Sequence, residues 1–240
     1  MIENDNNEEI KYSDCYIAFL DLLGFKDMIN KKTCDEILAI FDKIKLQPHD
    51  VYIRKENGFE KIIHSVITKN IKMKIMSDSI CFYVDAAIQN AFSTLLTMCM
   101  LFQIKMASLP EPVLMRGGIV RGNIYASGDV TFGPGLTSAY LLEEKSAKFP
   151  RIIFTHDTLL KALNETIEDY RMVILGCIFR DEDGFYALNY FNLAGKKEAK
   201  GSKVQALYDY ACKQINSPIN PSVKEKYIYL EKKLKMVIDA

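Results

Sequence analysis

Two carboxylates stand where interior strands should end. Asp21 lies in Ala18-Phe19-Leu20-Asp21-Leu22-Leu23-Gly24-Phe25-Lys26, directly after residues that read as buried β-structure. Asp78 lies in Met76-Ser77-Asp78-Ser79-Ile80, between two strand-like runs. An unpaired buried charge is costly, so such a group must neutralise or find a cation. Two aspartates at the ends of neighbouring strands can face one point in space, and two-metal phosphoryl transfer uses that arrangement. Hard Mg²⁺ or Mn²⁺ ions take oxygen ligands. One ion lowers the pKa of an attacking hydroxyl, and the other neutralises charge on a triphosphate and its leaving pyrophosphate. Gly24 would let the backbone approach phosphate oxygens with no side chain in the way. Turn and cap roles fit the same residues: Asp21 precedes a short helical stretch, and Ser-Asp-Ser is common turn chemistry.

The elements that must position these groups follow from hydrophobic pattern. A polar arm, residues 1–11, leads into a strand from Tyr12 to Leu20. Thr33 to Lys45 has helical spacing, with Ile37, Leu38, Phe41 and Ile44 on one face and Thr33 as its cap. Short β-like runs from His49 to Asn70 surround the turn Glu56-Asn57-Gly58, and Tyr52 there suits either base stacking or plain packing. "IKMKIM" and "SICFYV" are strands flanking Ser77-Asp78. From Asp85 to Ala107, Ile88, Phe92, Leu95, Leu96, Cys99 and Phe102 mark one buried helix face.

"PVLMRGGIVRG" is a strand that runs into glycines. After a turn at Ser127-Gly128-Asp129, a corner at Gly133 to Gly135 opens a helix from Leu136 to Ala147. "RIIF" is a strand, with Arg151 anchoring its end, and His156 to Leu163 is a short helix. "RMVILGCIF" and "FYALNYF" form a hairpin across "RDEDG". The remainder is helical: Ser222-Val223-Lys224-Glu225 matches a capping box, and Val223, Tyr227, Leu230, Leu234 and Val237 form an apolar stripe suited to packing on its own domain. The order of elements predicts an α+β or α/β sandwich with one sheet covered by helices on one face.

Composition narrows the function classes. With 31 basic and 31 acidic residues among 240, the chain has no general electrostatic grip for nucleic acid, although local cations can hold a nucleotide. Six cysteines without a CxxC pair and three scattered histidines give no zinc spacing. Mostly set in apolar runs, the cysteines read as buried thiols of a reducing compartment. The acidic start "MIENDNNEEIKYSD" is unlike a signal peptide, and the most apolar stretch, Ala86 to Phe102, is broken by polar residues. The expectation is a cytoplasmic protein with no membrane span.

The motifs carry a resemblance. "FLDLLGF" resembles the Phe-x-Asp-Ile-x-Gly-Phe signature of class III nucleotidyl cyclases, and "KMKIMSDSICFYV" is similar to that family's hairpin with its second metal aspartate. "LMRGGIVRGNIYASGDVTFGPGLTSAYLLEEKSA" is similar to the strand, glycine turn and helix that follow. The resemblance spans about residues 12 to 155. "FLDLLGFK", "SDS", "RGGI" and the "FGPG" to "FPRI" segment look closest to the pyrimidine cyclases of bacterial Pycsar anti-phage defence, whose cyclic CMP or cyclic UMP activates a separate effector. The fold implied is α+β, class III nucleotidyl cyclase-like: a ferredoxin-like β-α-β sandwich with C-terminal helices. The implied organisation is a polar arm (1–11), a catalytic domain (12–194) and a helical extension (195–240) packed on the domain or the dimer.

By position, the resemblance implies that Asp21 and Asp78, with the Leu22 carbonyl, hold two Mn²⁺ or Mg²⁺ ions. It places Leu22, Leu23, Gly24, Phe25, Lys74 and Thr137 against the nucleotide. It further implies a head-to-tail homodimer with composite sites. The sequence departs from the purine cyclases at three positions: Val130 replaces a base-contacting polar group, and Thr137 and Leu141 replace the Asn and Arg that stabilise the transition state. A leucine cannot hold phosphate charge. Arg116 and Arg121 are the candidate catalytic cations, but five positions apart on one strand they point to opposite faces, so one of them at most reaches the phosphates. The expected activity is conversion of UTP or CTP to cyclic UMP or cyclic CMP plus pyrophosphate. Adenylate or guanylate cyclisation, or nucleotide binding without chemistry, are the alternatives.

Overall fold

The computed structural model describes residues 10–44, 70–191 and 197–239. The runs expected around Glu56-Asn57-Gly58, and Tyr52 with them, lie outside the described residues. The chain forms β1 (Ser13–Leu22), α1 (Phe25–Lys31), α2 (Cys34–Ile44), β2 (Lys72–Met76), β3 (Ser79–Asp85), α3 (Ala91–Ala107), β4 (Met115–Ser127) and β5 (Val130–Phe132). It continues through α4 (Pro134–Ser146), β6 (Ile152–Phe154), α5 (His156–Glu165), α6 (Glu168–Gly176), β7 (Ile178–Arg180), β8 (Tyr186–Leu188), α7 (Lys197–Ile215) and α8 (Pro221–Ile238).

β1 is the spine of the sheet. Its even residues Tyr16, Ala18, Leu20 and Leu22 enter the main core beside Phe82, Phe92, Phe102 and Phe154. Its odd residues Cys15, Ile17 and Phe19 pack on the opposite face with Cys81, Ile124 and Ala139. Successive strand side chains point to opposite faces, so a strand buried on both sides reads as an unbroken apolar run. β3 and β4 flank β1 antiparallel, giving the order β2-β3-β1-β4-β6-β8-β7, and β5 folds back on β4. The first four strands and their helices form the expected ferredoxin-like α+β sandwich.

Helices cover both faces rather than one. α3 lies in the main core, whereas α4 lies on the other face against β1 and β4. Glycines set that second contact. A Cβ at Gly118 would stand 2.8 Å from the Ala139 carbonyl oxygen, and one at Gly122 would stand 2.7 Å from the Gly135 Cα. Backbone thus meets backbone along the seam, which a larger residue would pry apart. The apolar positions of α4 signal that the helix is packed but carry no information about which face of the sheet receives it.

Other elements depart from pattern for local reasons. α3 is buried on more than one side, because Ile104 and Ala107 meet the C-terminal helices while Phe92, Leu95 and Phe102 meet the sheet. Glu168 to Gly176 is helical, so the expected strand "RMVILGCIF" shrinks to Ile178–Arg180. A short apolar run fits either state, and Glu168 and Asp169 favour a helix start. Thr33 caps α2 as expected: its N–H donates to Glu36 Oε2 at 2.8 Å, and the Glu36 N–H returns to Thr33 Oγ1 at 3.4 Å. α8 instead begins at Pro221, capped by Asn220, whose side chain accepts from the Ser222 N–H. Proline at the first helical position pre-sets φ and displaces the Ser222 box.

α7 and α8 pack on this same domain. Val204, Leu207, Ala211, Leu230 and Leu234 are buried with Ala107, Leu114, Tyr190 and Phe191. Arg151, 1% exposed, ties the hairpin down at a strand end: it bonds Asp181 and Asp183 and lies 5.6 Å from the Tyr229 ring. Burial works against the Asp181 charge, yet bonds from Lys233 and Tyr229 hold its pKa down at about 2. Among the described residues, no helix is long and apolar enough to cross a membrane.

Gly118→Ala should lower stability by about 1–3 kcal/mol through overpacking of the seam. Gly176→Ala, where an added Cβ meets nothing within 4 Å, should be neutral or mildly stabilising. Urea unfolding of both variants checks the contrast.

Candidate active site

At the end of β1 the backbone leaves the sheet through Leu22 and Leu23. Gly24 then takes φ 80°, a left-handed conformation that explains why this run stops on glycine. The β2–β3 hairpin turns at Ser77-Asp78, with Met76 paired to Ser79 and Ser77 at φ 57°. It is tied to β1 by the Leu22 N–H, which donates to the Asp78 carbonyl at 3.0 Å. Register pairs Asp21 with Ser79 on one side and Arg116 on the other. Both aspartates thus sit at one end of the central strands.

The Asp21 carboxylate has found its cation. Arg116 Nε donates to Asp21 Oδ2 at 3.0 Å, lies 2.8 Å from Glu143 Oε1, and the Arg116 Nη1 donates to the Ala147 carbonyl at 3.3 Å. Glu143 is brought by α4, whose close approach over Gly118 lowers it onto the strand end. It is 3% exposed, and its Oε1 has no well-formed hydrogen bond despite the nearby guanidinium. Burial pushes the Glu143 carboxyl up to about 7, with Arg116 opposing and Asp21 and Asp78 adding repulsion.

Glu143 is absent from the sequence-derived candidates. Its signal was helical spacing: a glutamate four after Ala139 and four before Ala147, on the face where both alanines are buried. Lys226 of α8 was missed as well. The residue is half-buried: burial and Arg116 lower its pKa, while Asp21 and Glu143 oppose that shift.

The remaining candidates are placed as follows. Arg121 is not in this cluster. It points to the other face of β4, bonded to Asp14 and Glu165 and lying 5.4 Å from the Tyr16 ring, which alternation on the strand requires. The Leu22 and Leu23 amides are taken by the Asp78 and Leu114 carbonyls, so neither is left for a phosphate. The Phe25 side chain is buried in the main core, leaving its backbone and that of Gly24 at the turn. Lys74 projects from β2 to the Gly128 carbonyl in the β4–β5 turn. Thr137 Oγ1 donates to the Gly133 carbonyl at 3.3 Å on exposed α4. A groove of about 830 Å³ opens at the turn that follows β1, lined by Leu23, Gly24, Leu114, Tyr227 and Lys226 among others. A second cavity of about 560 Å³ lies around Arg151 and Tyr229, and Asp21 and Asp78 line neither.

Among the described residues, no group of three or more His, Cys, Asp or Glu side chains is arranged to hold a metal ion. Asp21 and Asp78 nevertheless offer the right donors. Mg²⁺ is commonly bound by one or two carboxylates, with phosphates and waters completing its shell. The pair therefore fits such an ion in the company of a phosphate ligand.

No protein-family model and no curated protein matches the sequence. Solved structures do. The catalytic core of a rhodopsin-guanylyl cyclase with converted specificity, in complex with ATPαS, aligns at a TM-score of 0.50 and 14% identity, covering 74% of this chain and 96% of that one. Adenylyl cyclase CyaB from P. aeruginosa aligns at 0.44 and 15% identity, covering 74% and 94%. A bacterial light-regulated adenylyl cyclase aligns at 0.45 and 12% identity, covering 82% and 99%. The chain has a class III nucleotidyl cyclase-like fold.

Because Glu143 is raised above its ordinary 4.5, the folded protein keeps a proton that the unfolded chain releases between about 4.5 and 7. Wild-type stability should therefore fall as pH rises through that window and level off above it. Melting temperatures in metal-free buffer from pH 5 to 8 should show Glu143→Gln gaining on wild type as pH increases. A pH-independent difference would contradict the raised value.

Proposed function

We propose that this protein is a cytoplasmic, metal-dependent nucleotidyl cyclase acting on a pyrimidine nucleoside triphosphate. The observation that carries the reading is the placement of Asp21 and Asp78 at the same end of adjacent, hydrogen-bonded strands, with Arg116 bonded to Asp21. In the reaction, the substrate's 3′-oxygen forms a bond to the α-phosphorus as the bond from that phosphorus to the bridging oxygen of pyrophosphate breaks. The 3′-hydroxyl proton is released, and the products are cyclic UMP or cyclic CMP and pyrophosphate. Two Mn²⁺ or Mg²⁺ ions, when bound, would supply activation of the hydroxyl and charge neutralisation.

Within this reading the chain's own groups have separate roles. Asp21, Asp78 and the Leu22 carbonyl hold the ions. Arg116 fixes the Asp21 carboxylate in orientation, and Glu143 lies against the same Arg116 Nε. The Gly24 turn leaves room for the substrate. Val130, Thr137 and Leu141, in place of the groups used on purines, favour the pyrimidine branch. Exposed Val130, Phe132, Tyr140 and Leu141 on β5 and α4 suit a head-to-tail homodimer with composite sites. The cyclic product would serve as an alarm signal in anti-phage defence through a separate effector.

A second reading is a cyclase-like module that binds nucleotide without chemistry. Leu141, at the position of a transition-state cation, favours it. An adenylate or guanylate cyclase on the same fold is distinguished by its product.

Incubation of the pure protein with each of the four NTPs and Mn²⁺, followed by mass spectrometry, tests the proposal. Cyclic UMP or cyclic CMP should form with wild type and fall by at least about 100-fold in Asp78→Ala and Asp21→Asn, as expected for loss of metal-ion catalysis. A cyclic purine product would move the assignment to the purine branch. A nucleotide-dependent rise in melting temperature without pyrophosphate release would support the binding module instead.

A further inference from the structure

The balance of charge around Asp21 is incomplete for a polyphosphate ligand. Asp21 and Asp78 stand at one end of the central strands, and Arg116 is already committed to Asp21, Glu143 and the Ala147 carbonyl. Other nearby cations are engaged or open to water: Lys32 pairs with Glu111 at 2.6 Å, Lys74 bonds the Gly128 carbonyl, and Lys31, which also lines the groove, is exposed. Lys226 differs. It makes no hydrogen bond or ion pair among the described residues, yet it lines the groove with Leu23 and Gly24 and feels both Asp21 and Glu143. A partly desolvated ammonium without a hydrogen-bonded partner is unfavourable unless a ligand completes it.

The fold takes trouble to put it there. α8 is clamped by Leu230 and Leu234 in the hairpin core and by Tyr229 and Lys233 on Asp181. Lys226 lies one helical turn before Leu230, on the side where Tyr227 also lines the groove. An exposed lysine would have its ammonium free in water; this one is half-buried at the groove, on a helix anchored just beyond it.

We propose that Lys226 is a phosphate-binding residue of this site, so that the C-terminal hairpin completes the site in cis by presenting a cation to the polyphosphate chain of a nucleoside triphosphate. The identity of the ligand rests on the cyclase reading above. On that reading the ammonium neutralises charge gathering on the departing pyrophosphate, a role for which a preorganised cation is suited.

Calorimetric titration of the full chain with inorganic tripolyphosphate and Mg²⁺ tests the binding role apart from catalysis. Wild type should bind, Lys226→Met and Lys226→Gln should bind at least about tenfold more weakly, and Lys226→Arg should stay within a few-fold. Lys232→Met, on the same helix but paired with Glu182, should bind like wild type. Melting temperatures of the Lys226 variants should stay near wild type, since no hydrogen bond is lost. Unchanged affinity in the two uncharged variants, or no tripolyphosphate binding by wild type, would overturn the proposal. Binding that depends on Lys226 in a protein that cyclises no NTP would uphold it while sinking the cyclase reading.

Discussion

The seam between β4 and α4 is the contact on which the site depends. Gly118 and Gly122 on the strand and Gly135 on the helix remove the side chains that would otherwise separate two backbones. α4 can then settle directly on the sheet, and Glu143 arrives within ion-pair distance of Arg116. Were the helix held off by a layer of ordinary side chains, the Arg116 guanidinium would lose one of its two carboxylates. The neighbouring Gly117 serves the main-core face instead, where an added Cβ would meet the Leu20 side chain at 2.4 Å. Two adjacent glycines thus serve opposite sides of one strand, as alternation demands.

Electrostatics then organises the sheet end as a small network with unequal partners. Arg116 is shared between Asp21 and Glu143, and the cost of burying Glu143 is visible in its reluctance to ionise. Such a cluster, crowded with like charge and poised near neutrality, is characteristic of places where ligands or protons exchange. A contrasting network surrounds Arg151, whose terminal nitrogens bond Asp181 and Asp183 while Tyr229 and Lys233 bond Asp181 in turn. That network is structural. It fastens the C-terminal hairpin to the domain, and so sets the height at which α8 carries Lys226 over the groove.

Much of this was legible in the residues. The unbroken apolar run of β1, the paired aspartates at strand ends, the glycine after Leu23 and the opposite facing of Arg116 and Arg121 all follow from local rules of backbone geometry. The misreadings have local causes too. The stretch from Arg171 to Gly176 is apolar enough for a strand, but acidic residues before it favour a helix; the start of α8 was hidden by a serine box one residue inside a proline. The covering of both sheet faces was missed because an amphipathic helix records that it is packed, not against which side.

What the sequence alone determined were the properties that repeat within a few residues: strand alternation, helix faces, turns that need glycine, and the placing of Asp21 and Asp78 at strand ends. Only the tertiary structure decided that Glu143 reaches Arg116, that Arg116 is the guanidinium bonded to Asp21 while Arg121 braces the far face, and that the C-terminal helices, with Lys226, border the groove. The reason is physical. Periodicity is a short-range property of the backbone, whereas the meeting of α4, α8 and β1 depends on how closely their surfaces pack, and that distance is set by side chains far apart in the chain.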